Sequence, residues 1–533
     1  MDCRIFQCYF KRFNQTSEYA LIARLHSWQE SLRAFCHPRV VTMLFFGIAA
    51  GLPLLLIFSS LSLWLREAGV ERAAVTYFSW AALGYSFKFV WAPLVDVIPL
   101  PLLTRTLGRR RAWLLLAQLM VVLAIILMAL IDPASQGLTL MALAAVLLGF
   151  SSATQDVVID AYRIESAGEE YQALMSATYI AGYRIGMLLA GAGALFLASS
   201  FGSTLEGYDF SAWQMAYFSM AGLMLIGIVT TLMVDEPVVN QQRAAQPAWD
   251  YAGLFVTFLV AVSGFIACFV LSSEIASQLK TVFSGVVHNH YLAAIMVEML
   301  RFSAALLVAV MLGRFCMRFE WVNRELISRS YIEPIQDFFR RYGWSLAWLL
   351  LALVGLYRIS DIVLGVIANV FYQDMGFTKP QIATVVKSFG LFMTILGGFL
   401  GGILAVRFGV MRILFLGALM SAVTNLLFMM LAGMGNDLTM LYVVISADNL
   451  SAGLASAAFI AFLSSLTNIS FTAVQYAIFS SLMTLLPKML GGYSGSMVEA
   501  MGYEWFFLLT ALIGLPVLLL ILFAAKRFNL SQS

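Results

Sequence analysis

The stretch "LTLMALAAVLLGFSSATQDVVIDAYRIE" (residues 138–165) starts apolar and ends on charge. It is long enough to cross a bilayer, which takes about 20 mostly apolar residues. Yet Gln155, Asp156 and Asp160 lie inside it, and Arg163 and Glu165 close it. A carboxylate near the bilayer centre costs about 2.5–3.5 kcal/mol on insertion scales. A chain that holds two there must pair them, or set them against water. Asp156 and Asp160 are four residues apart and share one helical face, with Arg163 a turn further along. Close carboxylates resist carrying charge together, which suits groups that take up and release a proton. The plainer alternative for Asp160 is a pair with Arg163 that fixes the helix end.

Composition places this stretch in a membrane protein. The 533 residues are 61% hydrophobic and only 11% charged, with a mean hydropathy of +0.87. Soluble domains carry about 25% charged residues, so a soluble enzyme is excluded. The net charge of +3 is scattered, so no nucleic-acid partner is expected. Cys3, Cys8, Cys36, Cys268 and Cys316 have no metal-ligand spacing and suggest no disulfide framework. "HNH" (288–290) is too weak a motif to be read as a metal site. No G-x-x-x-x-G-K-[ST] loop appears, so no nucleotide is expected, and no acid–base or metal constellation points to an enzyme. No cofactor is expected; work would draw on an ion gradient.

Outward from 138–162, further apolar spans fall at about 40–65, 74–98, 112–131, 172–200 and 212–234. A polar linker (235–250) leads to two more, at 251–273 and 291–313, and then to a basic segment (314–344). Six others follow, at 346–373, 381–405, 411–433, 439–465, 473–498 and 504–525. The predicted fold class is all-α: a polytopic membrane protein of two six-helix bundles with two extra central helices, about 14 spans in all. The predicted domains are a cytoplasmic N-terminal segment (1–39), an N-terminal bundle (40–234), an inserted region (235–345), a C-terminal bundle (346–526) and a short tail (527–533). "SWQES" (27–31) has capping-box spacing and predicts a short interfacial helix before the first span. With the N-terminus inside, 22 of the 32 Lys and Arg residues fall on the cytoplasmic side and 4 on the other. That bias predicts both termini in the cytoplasm.

The two bundles look like repeats. "DVIPLPLLTRTLGRRRAW" (96–113) and "GGILAVRFGVMRIL" (401–414) are short inside loops rich in Gly and Arg. "TQDVVIDAY" (154–162) and "SADNLSAGL" (446–454) each set an acid and an amide in an apolar helix. Parallel repeats of this kind place a substrate site between them at mid-membrane, and with the buried charges they point to a secondary transporter. Asp156, Asp160, Asp361 and Asp448 are the candidate proton-coupling acids. Lys88, Arg184, Arg358 and Lys387 offer positive charge to an anionic ligand. Gln155, Asn449 and Gln475 offer amide hydrogen bonds, and Tyr183, Tyr357 and Trp91 offer rings for stacking. Small-residue ladders (Gly182, Gly186, Ala190; Gly390, Thr394, Gly398, Gly402) predict close helix packing. Glu298 and Arg301 are three apart and self-neutralising, which predicts a structural hairpin for the inserted pair.

The loops resemble the loop motif of the major facilitator superfamily, through Asp96, Gly108, Arg109 and Arg110 in the first and Gly402, Arg407 and Gly409 in the second. The resemblance implies that these residues gate the two bundles. A narrower likeness runs in order over about residues 40–525. "SFKFVWAPLVD" (86–96), "GRRRAW" (108–113), "SSATQDVVIDAYRIE" (151–165), "GYRIGMLLAG" (182–191), "YRISD" (357–361), "DNLSAGLASAAFIAFLSSLTN" (448–468) and "FTAVQYAIFSSL" (471–482) resemble AmpG-type muropeptide permeases. That resemblance implies proton-driven import of anhydro-muropeptides across the inner membrane of a Gram-negative bacterium. It also implies a role in peptidoglycan recycling and, in some hosts, in β-lactamase induction. The competing expectations are a carrier of another bulky anionic solute, such as an acetyl-CoA-like or siderophore- or peptide-linked one, and a non-transporting membrane sensor. The partners implied are the muropeptide and membrane lipid.

Overall fold

The computed structural model describes residues 34–70, 78, 83–135, 137–203, 207–238, 247–287, 290–378, 381–491 and 494–532. The segment read as an interfacial helix (27–31) and most of "HNH" lie outside them. Among the described residues there is no strand, and twelve helices are long and apolar enough to cross a membrane. They are α1 (Pro38–Glu67), α3 (Arg109–Leu130), α4 (Leu138–Ser166), α5 (Glu170–Ser200), α6 (Phe210–Met233), α7 (Ala248–Leu271), α8 (Met296–Arg318), α9 (Arg324–Ala368), α10 (Thr384–Phe408), α11 (Val410–Met434), α12 (Leu438–Leu466) and α14 (Met497–Arg527).

The two remaining predicted spans depart from a single long helix, each at a visible break. The described part of 74–98 is α2, which runs as Leu83–Phe87, a 3-10 turn Lys88–Val90 and Ala92–Val97. Pro93 lies in the first turn of that last piece and has no N–H to continue a helix through Trp91. The span 473–498 becomes α13 (Thr472–Gly491) with Pro487 inside it. Its apolar part, Ile469–Leu485, is shorter than a full span.

Local signals set the ends. Pro38 opens α1, and the His37 ring accepts from the Arg39 N–H. Asp437 caps α12 by accepting from the Met440 N–H at 3.0 Å. The two repeat loops end alike. Gly108 (φ +88°) precedes α3 and Gly409 (φ +89°) precedes α11, in backbone that only glycine adopts cheaply. Gly343 (φ +68°) kinks α9, so the basic segment before it is itself helical and the span proper follows it.

The chain forms two compact units. The first takes in the described residues up to Val90, those from Pro99 into the linker after α6, and those from Phe339 onward. Helices from both the N-terminal and the C-terminal part of the chain therefore share one body. Within it α1 packs along α5 so closely that a Cβ on Gly182 or Gly186 would overlap the carbonyls of Leu44 or Ile48. The halves meet where α5 lies against α10 and α12, and where α4 and α2 lie against α13. Gly402 of α10 faces Ala173 and Ala177 of α5 at this contact. The second unit holds Trp91–Ile98 and the inserted segment up to Phe338. There α7 packs on α8, and Glu298 takes both Lys280 (2.6 Å) and Arg301 (3.2 Å). Only 11% of the most apolar window of α7 or of α8 is buried, against 72% for α4. The inserted pair thus presents apolar surface, as lipid-facing helices do.

Candidate functional site

The polar core of α4 is a wired cluster. Asp160 Oδ2 lies 3.7 Å from Lys88 Nζ, and its Oδ1 lies 3.5 Å from Arg163 Nη2. The 3-10 turn of α2 delivers Lys88 to this acid, buried on both sides. Arg163 is fully buried. Its Nη1 donates to Gln172 (3.1 Å) and Ser176 (3.1 Å) of α5, and to Ser464 (2.8 Å) of α12. Its guanidinium sits 5.2 Å from the ring centre of Tyr476 on α13. One side chain from the N-terminal half therefore grips two helices of the other half. Buried charges in a membrane protein pair or line a watery cavity; here the pairing is visible.

A second link lies one turn on. Glu165 accepts from Arg110 Nε (2.9 Å) and Nη2 (2.5 Å), with Arg109 at 3.7 Å. Thr472 of α13 donates its hydroxyl to Glu165 and accepts from Arg110 at 3.3 Å. Glu236, beyond α6, accepts from the N–H groups of Arg110 (2.8 Å) and Arg111 (3.0 Å) at the positive end of α3. It lies where a Cβ on Gly108 would fall. Of the motif residues, Arg110 reaches the other half directly through Thr472, Arg109 shares its acid Glu165, and Gly108 leaves room for Glu236. Asp96 is buried and groups with the second unit. Arg407, in the repeat loop's counterpart, lies 5.7 Å over Phe408.

Asp156, a turn deeper in α4, takes a long bond (3.4 Å) from the Tyr179 hydroxyl. Gln155 beside it is fully buried with neither amide atom hydrogen-bonded. An orphaned buried amide costs about 1–3 kcal/mol.

The C-terminal half has a looser cluster. The helix of α9 unwinds at Tyr357–Arg358, between Glu333–Leu356 and Ile359–Asp374. Interrupted membrane helices are tolerated where they line a cavity or pack in protein. From this break Arg358 donates to Ser456 Oγ (2.8 Å) and lies 3.8 Å from Asp361. Asp361 also accepts from Ser421. Asp448 of α12 is bonded by Thr424 and feels Asp361 and Arg358. Arg184 of α5 lies within electrostatic reach of Arg358 and Tyr183. Tyr183 stands 6.1 Å, ring to ring, from Tyr179.

The remaining sequence candidates have other neighbours. Asn449 accepts from Thr394 (2.9 Å) and donates to Ile445 (3.0 Å), joining α10 to α12. Gln475 accepts from Arg341 (3.0 Å) and from the Asn468 N–H (2.7 Å). Tyr357 donates to the Leu414 carbonyl (3.1 Å) and stacks on Phe459 at 4.3 Å. Lys387 is exposed on a π-helical stretch, Ile382–Phe389, at the start of α10. Trp91 is buried in the second unit. Sequence reasoning missed Glu165, Glu236, Gln172, Ser464 and Thr472 as members of the network. The acids stood in the last turn of a helix (Glu165) or just past one (Glu236), where a partner was foreseeable; the hydroxyls carried no signal.

The sequence profile described as Major Facilitator Superfamily matches residues 39–332. AmpG 4 of Rickettsia conorii is 30% identical over 491 residues, which is 92% of this chain and 97% of that protein. The anhydromuropeptide permease of Escherichia coli K12 is 28% identical over 502 residues, covering 94% of this chain and 82% of that protein. Among solved structures, the superfamily transporter FucP, in its outward conformation, matches with a TM-score of 0.57 at 10% identity. It covers 92% of this chain and 99% of FucP, a likeness of fold alone.

Proposed function

Because the chain belongs to the Major Facilitator Superfamily, among the AmpG-type transporters, we propose that it is a proton-coupled importer of anhydro-muropeptides. The substrate is GlcNAc-anhydroMurNAc with or without a stem peptide, moved from periplasm to cytoplasm across the inner membrane, with both termini cytoplasmic. The relatives' names support the substrate class. The Lys and Arg bias supports the orientation. The product feeds cell-wall recycling and, where the host has the circuit, β-lactamase induction.

One observation carries the coupling: Asp160 shares its carboxylate with Arg163, and Arg163 holds Ser464 of the opposite half. A change of charge on this acid pair bears directly on a bond between the halves. Asp156 is assigned the transported proton, since Tyr179 is its one hydrogen-bond partner among the described residues. Asp160 transmits its state to Arg163. Asp361 and Asp448 are the corresponding acids of the other half. Gln155 serves the ligand's hydroxyls or amides.

The test is uptake of labelled GlcNAc-anhydroMurNAc into proteoliposomes, with and without an inward proton gradient. Wild type accumulates the label only with the gradient. Asp156→Asn loses accumulation but still exchanges internal for external substrate. Accumulation that survives in Asp156→Asn moves the proton to another acid. No uptake by folded wild type removes the muropeptide assignment.

A further inference from the structure

The cations near the middle of the fold are not equivalent. Lys88 and Arg163 are both committed to Asp160. Arg358 holds Ser456 closely and Asp361 at a longer 3.8 Å, and its Nε is buried with no partner. Arg184 has no hydrogen bond or ion pair among the described residues, and the groups it feels there are Arg358 and Tyr183.

Arg184 and Arg358 come from opposite halves and lie within electrostatic reach of each other. Ala177 and Ile180 of α5 pack on Ala457 of α12. Arg184 continues that face one turn beyond Ile180. Ser456, next to Ala457, is the residue that Arg358 grips. A partly buried guanidinium without a counter-ion, within electrostatic reach of a second guanidinium across a joint, is unfavourable as it stands. It becomes favourable when an anion lies between them, because planar guanidinium groups bind carboxylates through paired N–H donors.

We propose that Arg184 and Arg358 form a split carboxylate site, completed only when the substrate's anionic group bridges the two halves. The proposal rests on the muropeptide reading for its substrate, whose free lactyl group, or the stem peptide's carboxyl where a stem is attached, supplies the carboxylate. It adds that the anion is a condition of transport and not only a source of affinity. The empty site holds like charges across the joint, and a bound carboxylate turns that repulsion into attraction. A neutral sugar of the same shape leaves the repulsion in place.

The experiment compares GlcNAc-anhydroMurNAc with its lactyl amide in proteoliposomes of the full chain, for wild type and Arg184→Gln. Wild type is expected to take up the acid faster than the amide by about tenfold or more. Arg184→Gln is expected to slow the acid and bring the two rates together. An undiminished preference for the acid in Arg184→Gln overturns the proposal. A second arm needs no substrate: Arg184→Glu sets a carboxylate opposite Arg358. It is expected to raise the unfolding midpoint and stop transport, and the added Arg358→Gln is expected to cancel the rise. No rise also overturns the proposal. If wild type takes up neither compound, the muropeptide reading falls, and the second arm still judges the arginine pair.

Discussion

The charge clusters of the two halves differ in how firmly they are held. In the N-terminal half, Asp160 meets two cations, and Arg163 bonds four residues on three helices. In the C-terminal half, a single Arg358 serves Asp361 at 3.8 Å, and Asp448 relies on a threonine. The side chains of Arg358 and Asp361 are 24% and 18% exposed, against 0% and 10% for Arg163 and Asp160. Repeated architecture has thus been filled unequally. One cluster is a fixed structural joint that also carries a titratable group, and the other has room to change partners.

Substitutions can break that contrast. The largest effect is expected from Arg163→Ala, which strands Asp160 beside a single lysine and orphans several hydroxyl and amide groups. Removing one partner of a buried pair costs about 3–5 kcal/mol. Thermal unfolding in detergent should show a large fall in midpoint, with transport lost. Arg358→Ala is expected to cost less, about 1–3 kcal/mol, because its acid is already bonded by Ser421 and partly exposed. Equal losses for the two variants would erase the distinction between a fixed and a loose cluster. Glu298→Gln in the inserted pair marks the low end. That acid is 40% exposed, and a pair of that kind is worth about 1 kcal/mol or less. Uptake should stay near wild type, and a severe loss would show that the inserted helices take part in transport.

Much of the architecture was legible because lipid leaves a chain few options: long apolar runs become helices, and the loops between them carry the basic residues. The glycines at 108 and 409 stand in the two loops that the sequence likens, and both take a positive φ before a helix. What stayed hidden has a common cause. Ser464 and Thr472 lie far along the chain from Arg163 and Arg110, and a hydroxyl in an apolar helix looks the same whether it bonds its own backbone or a distant arginine. The amides make a contrasting case. Asn449 and Gln475 stood out as polar residues awaiting a ligand, yet both bond neighbouring elements of their own half. Intramembrane amides commonly join helices in this way. Breaks within spans, at Lys88 and at Tyr357–Arg358, left only faint traces in hydropathy, because a broken helix and a whole one share the same apolar average.

The fit between α1 and α5 carries one more consequence. With backbone carbonyls seated against Gly182 and Gly186, these two helices cannot slip past each other without a clash, so they behave as a rigid beam. What ties the beam's half to the other half includes two hydroxyls, Ser464 and Thr472, each bonded to an arginine, and a hydrogen bond to a charged group is worth about 1.5–3 kcal/mol net. Stiff members joined by a few discrete bonds put the strain of motion into the fastening. Such a machine opens by releasing a catch rather than by bending its frame.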